Sequence, residues 1–305
     1  MRRRVSVLLA LPLLLLSLAM MATTPAGVVA ATPMSVTPHR TVHFFPHLNQ
    51  QTHGTKANAA VFASNLIYNG GPVMTGTANV YAIYWEPTSN VSSNYHSLIN
   101  RYFGDVNGQG LYNNNKQYTQ SGGGAATSTR LAGTWVDNSG YPESPLLDSD
   151  IQNEVSFAQS VNGWSSSIHN IFFVFLEAGQ DLCFDSSFSQ CASNAFCAYH
   201  SFFGSNTIYA AMPYAASFSC NPGSSPNNDD ADQTINVTSH EQMEAATDPL
   251  LNAWFDSSGS EIGDKCAWTF GSLNSIGADV TWHSHGYIVQ KEWDNARRGC
   301  VLSGP

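Results

Sequence analysis

Ser-His-Glu-Gln-Met-Glu-Ala-Ala-Thr-Asp-Pro, residues 239–249, is the stretch on which the reading of this chain turns. Side chains four apart on a helix share a face, so His240 and Glu244 can bring an imidazole and a carboxylate to one point, as metal ligation requires. Glu241 stands beside them, where a general base for a water molecule would be needed. The same four-residue pattern also occurs on solvated helix faces, so the surrounding chain has to decide. A polar turn, Asn-Pro-Gly-Ser-Ser-Pro-Asn-Asn-Asp-Asp at 221–230, precedes the helix. Asp232 is the expected N-cap, and Pro249 marks the end.

Working outward, residues 79–87, 171–176 and 207–214 have the β-branched and aromatic content of buried strands. Residues 92–104 and 148–161 have helical spacing, the second opened by Asp148, Ser149 and Asp150. Strands alternating with helices predict an α/β fold, with α+β as the alternative. The expected form is a single sandwich domain over residues 67–305, a central sheet with the 240–244 helix packed on it. Residues 31–66, rich in Thr, Pro and His, read as an extended arm or pro-segment, and His39, His43, His47 and His53 read as part of a polar linker.

Arg2, Arg3 and Arg4 precede an apolar run from Val5 to Met21 and a small-residue Val-Val-Ala-Ala site, the layout of a secretory signal peptide over residues 1–30. No later segment is apolar enough to suggest a membrane span, so a secreted, extracellular protein is expected. The chain carries 12 Lys+Arg and 22 Asp+Glu; without the three arginines, 9 and 22 remain, a net of −13. That balance argues against nucleic acid and anionic membrane surfaces as partners. An even set of six cysteines in an exported chain predicts disulfides: Cys266 with Cys300, and Cys183, Cys191, Cys197 and Cys220 stapling the loop-rich 183–220 stretch. Pairs with C-x-x-C spacing, which a four-thiolate zinc site needs, are absent.

The order of motifs resembles the phosphate-induced protein 1 (EXORDIUM-like) family of secreted proteins over roughly residues 67–301. The segments that carry it are Tyr68-Asn-Gly-Gly-Pro-Val-Met-Thr-Gly, Cys197-Ala-Tyr-His200, Met212-Pro-Tyr, His240-Glu241-Gln-Met-Glu244, Pro249-Leu-Leu-Asn-Ala-Trp254 and Glu261-Ile-Gly-Asp264-Lys-Cys266. Asp248 stands where the plant pattern has asparagine. The His-Glu-x-x-Glu core is also the zincin arrangement with glutamate in place of the second histidine.

Together these resemblances imply a zinc site, or one for another divalent metal, with His240 and Glu244 as ligands. Asp264 or Glu261 would supply the third ligand from the loop beyond the Ser258-Gly259 turn, and His200 is the alternative. One histidine with two carboxylates neutralises Zn²⁺, whereas two histidines with one carboxylate leave a net positive charge that acidifies bound water. The expected function is a secreted zincin-like metallohydrolase acting on a peptide or protein substrate, with Glu241 as general base. The alternative is a non-catalytic extracellular protein, bound to a cell-wall component or receptor, that holds a structural metal. His283 and His285 would share a strand face as a polar pair, and Asp229, Asp230 and Asp232 read as a solvated acidic turn.

Overall fold

A computed structural model describes residues 41–48 and 64–305; the expected signal peptide, His39 and His53 lie outside them. The centre is a six-stranded mixed sheet built from β1 (Phe45–Pro46), β2 (Thr77–Trp85), β3 (Ser128–Asp137), β4 (Asn170–Leu176), β5 (Phe196–Phe203) and β6 (Thr207–Met212). Their order across the sheet is β1-β5-β6-β4-β2-β3. Strands β3, β2, β4 and β6 run parallel, with Val80 and Ile208 flanking Ile171. β5 is antiparallel to β6, and β1 antiparallel to β5.

Period-two alternation along β4 divides the core. Ile171, Phe173 and Phe175 face one layer, while Phe172, Val174 and Leu176 face the other. Helices α1 (Tyr95–Asp105) and α3 (Ala231–Thr247) cover the first face, and α2 (Asp148–Asn162) covers the second. Because parallel strands need crossover connections and both faces are covered, β4 is buried along its whole length and reads as an unbroken apolar run. The α/β expectation holds, as a three-layer arrangement.

Element ends follow local chemistry, with three departures from expectation. At the start of α2 the Leu147 amide donates to Asp150 Oδ2 at 2.8 Å, and Gly163 ends the helix with φ 68°. The N-cap of α3 is Asp230, not Asp232. Asp232 lies inside the first turn and accepts the Asn227 amide at 2.8 Å and the Ser225 hydroxyl at 2.7 Å, folding the preceding turn back onto the helix. Asp229 accepts from Ser92, and Asp230 accepts the Tyr214 hydroxyl at 2.8 Å, so the three carboxylates diverge into separate structural contacts. His283 and His285 do not share a strand face. His283 and Ser284, at φ 49° and 71°, form the turn between Val280–Trp282 and His285–Tyr287, and His285 Nδ1 pairs with Asp105 at 2.6 Å.

The arm also departs from a polar linker. Phe45 is fully buried, Phe45–Pro46 pair with β5, and the His47 ring lies 2.7 Å from the Ala192 carbonyl oxygen. The cysteines pair as Cys183–Cys191, Cys197–Cys220 and Cys266–Cys300, which joins the loop after α3 to the C-terminal strand as expected. Among the described residues no helix is long and apolar enough to cross a membrane.

Two measurements follow from the fold. Replacing Cys266 and Cys300 by serine should cost roughly 2–5 kcal/mol in denaturant unfolding. Glu154 on α2 is buried, and burial reinforced by the Asp137 carboxylate raises its pKa from 4.5 to about 8. Between those values it is protonated in the fold and ionised in the unfolded chain, so stability falls as pH rises through that window. Glu154→Gln should therefore raise Tm by a few degrees at pH 9 and by much less at pH 5 in thermal scans.

Candidate functional site

Helix α3 is buried along all its length except at Gln233. The sheet lies on one side of it, and α1 and the C-terminal segments enclose the rest. Its polar residues must therefore find partners inside the protein. Most do: Thr238 donates to the Thr234 carbonyl at 2.8 Å, Ser239 to Asn236 at 2.7 Å, and Thr247 to Met243 at 3.1 Å. Gln242 meets Tyr102 and Thr129 at 3.0 Å each. The exceptions gather at one place. His240 Nε2, both oxygens of Glu241 and Glu244 Oε2 have no hydrogen-bond partner among the described residues, and elsewhere on the helix only the Asn236 amide nitrogen shares that condition.

Those atoms face further ionisable groups. His240 Nε2 lies 3.1 Å from Glu244 Oε1 and 3.8 Å from Asp264 Oδ1. From β5, His200 Nδ1 reaches within 3.5 Å of Glu241 Oε2 and 3.6 Å of Glu244 Oε2, while its Nε2 lies 3.8 Å from Glu261 Oε1. Both Glu261 oxygens and His200 Nδ1 likewise lack hydrogen-bond partners. Two groups with metal-ligand spacing result, His240/Glu241/Glu244 and His200/Glu244/Glu261, and Glu244 belongs to both. Both loop candidates and His200 thus come to the helix, on opposite sides of Glu244.

Several contacts brace the loop that delivers Glu261 and Asp264. Asp256 accepts the Ser258 and Ser260 amides at 2.9 and 3.1 Å and forms a buried ion pair with Lys265 at 2.9 Å. The Cys266–Cys300 bridge anchors its far end. The Asp264 amide donates to Glu244 Oε1 at 3.1 Å, and the Asp264 carboxylate accepts the Glu261 amide at 3.0 Å.

Gly263 is required by proximity: a Cβ there would lie 2.5 Å from His240 Nδ1. Gln290 fixes the back of the same ring, its amide nitrogen 2.9 Å from His240 Nδ1 and donating to the Gly263 carbonyl at 3.0 Å. Phe45 stacks on the ring at 4.3 Å. Sequence reading missed Gln290, Phe45 and the position of His43, whose Nδ1 lies 3.3 Å from Asp264 Oδ2. Gly263 had a signal, the glycine inside Glu-Ile-Gly-Asp; nothing local marked the other three.

The charges are strongly perturbed. Burial disfavours charge on His240, yet Glu244, Glu241 and Asp264 outweigh it and raise its pKa to about 10. His200 is likewise driven well upward, burial being overcome by Glu261, Glu241 and Glu244. Burial would raise Glu244, but the two imidazoles hold it below the ordinary carboxylate value. Burial dominates at Glu241 and lifts it despite both histidines; Glu261 rises further, with Glu244, Asp248 and Asp264 adding to burial. The cluster also sits in the last turns of α3, where the helix dipole favours a cation and opposes carboxylates.

Unpartnered imidazole and carboxylate atoms in this arrangement fit a divalent cation, which would displace the protons these groups otherwise hold. No family model, curated protein or solved structure matches this chain.

Gly263→Ala should push the His240 ring out of line and weaken Zn²⁺ or Co²⁺ binding by about 10- to 100-fold, the range for disturbed outer-shell support. Competition with a chromophoric chelator measures it. Unchanged affinity would show that the ring is not a ligand.

Proposed function

We propose that this chain is a secreted, metal-dependent hydrolase of the zincin type that cleaves peptide bonds. The observation that carries the reading is the convergence of His240, Glu241 and Glu244 with His200, Glu261 and Asp264, their polar atoms buried and lacking hydrogen-bond partners. In this reading His240 and Glu244 hold one ion, and Asp264 approaches from the loop as third ligand. Zinc is the first choice because imidazole is present, although an oxygen-rich set also suits manganese or calcium. The ion would supply Lewis-acid polarisation of the scissile carbonyl.

Glu241 adjoins a ligand and is placed as a base. It takes a proton from water as the oxygen adds to the carbonyl carbon, then returns it to the departing amine as the C–N bond breaks. Burial raises the pKa of Glu241, so its carboxylate is strongly basic once ionised. His200, 3.5 Å from Glu241 Oε2, orients that carboxylate and stabilises its ionised form. Secretion agrees with three disulfides and with the N-terminal segment. The phosphate-induced protein 1-like motifs supply several of these residues, and membership of that family is part of the proposal.

One observation favours a second reading. His200, His240 and Glu241 have no exposed surface, as suits a structural metal in a non-catalytic protein that binds a cell-wall component or receptor.

Elemental analysis of purified protein should find about one equivalent of transition metal, lost in His240→Ala and Glu244→Ala. Glu241→Gln should keep that metal and lower hydrolysis of unfolded protein at least ~10²-fold, the scale of general-base loss. A metal-loaded protein without hydrolytic activity would support the structural reading. Equal activity in Glu241→Gln would exclude this mechanism.

A further inference from the structure

We propose that the free edge of β5 is the seat of an extended peptide, and that residues 41–48 of this same chain occupy it in the manner of a substrate. The proposal rests on the peptidase reading for its chemistry but on separate observations for its geometry. The arm runs antiparallel to β5 with Phe45 opposite Ala198. Two residues further along each strand stand His43 and His200, so the arm lies along the edge that leads directly to the cluster. The main chain is held as an added strand would be. The His47 amide donates to the Ala195 carbonyl at 3.2 Å and the Leu48 amide to Ser219 at 3.2 Å, while the Trp268 indole donates to the Pro46 carbonyl at 2.8 Å.

Side chains alternate across this edge. Phe45 enters a slot between His240 and Trp268, with ring centroids at 4.3 and 4.7 Å. Phe44 turns the other way, stacking on Phe196 at 5.0 Å and meeting Phe184 and Tyr199 edge-on. The seat therefore fits an extended peptide with two successive bulky apolar or aromatic residues, one for each face.

Two features mark the arm as an occupant that can be exchanged. The named strand is only Phe45–Pro46, and proline has no amide to offer the edge, so aromatic side chains supply much of its hold. The arm also covers the cluster. His200, His240 and Glu241 have no exposure, whereas the His43 and Asp264 side chains are 22% and 12% exposed. A crevice toward Glu261 has Thr41 and His43 in its wall. A substrate carbonyl reaching Glu241 from that side would replace the arm.

The test uses the full-length chain as wild type, as Phe44→Ala/Phe45→Ala and as Phe45→Leu. The probe is a fluorescein-labelled octapeptide, Thr-Val-His-Phe-Phe-Pro-His-Leu, a copy of residues 41–48, followed by anisotropy. A tethered arm presents itself at an effective concentration on the order of millimolar, so wild type should not bind the probe at micromolar levels. The double variant should bind it saturably, and at least tenfold more tightly than a copy with both phenylalanines changed to serine. Phe45→Leu keeps an apolar group in the slot; it should show the same preference with weaker binding, and it reports if the double variant does not fold. Folded variants that bind neither peptide, or both equally, would overturn the proposal. Hydrolysis in the same samples separates the two ideas. Probe capture without cleavage keeps the peptide seat and removes the peptidase reading. Cleavage by wild type as fast as by the variants, with no capture, does the reverse.

Discussion

A helix enclosed on every side yet carrying charge is the constraint on which the rest of this protein depends. Burying ionised groups costs several kcal/mol each unless they are paired and hydrogen-bonded, and a helix without a solvent face cannot place them in water. α3 resolves the problem for its hydroxyl and amide side chains by back-bonding and by contacts from α1 and β3. It does not resolve it at His240, Glu241 and Glu244 through the chain's own hydrogen bonds. The two imidazoles offset only part of the surrounding negative charge, and excess protons on the carboxylates offset the rest. A divalent cation does the same work with better geometry.

Much of the surrounding architecture serves that enclosure. β5 brings His200 from beneath, and the loop held by the Asp256–Lys265 pair and the Cys266–Cys300 bridge brings Glu261 and Asp264 from the side. Gly263 and Gln290 set the His240 ring from behind, and Phe45 closes it in front. Stability and function therefore draw on the same contacts. Loosening the loop would disturb both the core against which it packs and the ligands it carries.

Short-range pattern accounts for much of what could be read without coordinates. The apolar run at 171–176 became the buried strand β4, and the acidic residues at 148–150 became the start of α2, because each depends on side-chain chemistry repeated within a few residues. His240 and Glu244 share a helix face for the same local reason, and their contact follows from 3.6 residues per turn. The Cys266–Cys300 pairing was also legible, since the partners flank one small β unit.

What only the tertiary structure decided concerns groups far apart in the chain. Asp232 has the chemistry of an N-cap, but the turn from Ser225 to Asn227 claims its carboxylate and the helix begins one turn position earlier. Two histidines with strand spacing are parted because His283 takes a left-handed turn conformation. His200, forty residues before His240, meets Glu244 only because β5 packs beneath α3. The histidine-rich arm looked like a linker by composition, yet Phe45 is buried against His240 because the edge of β5 was open to accept it. Sequence alone determined which residues could act as ligand or base, since that is a property of side-chain type and local spacing. Folding decided which of them share one desolvated space, since that depends on how sheet, helix and loop close over one another.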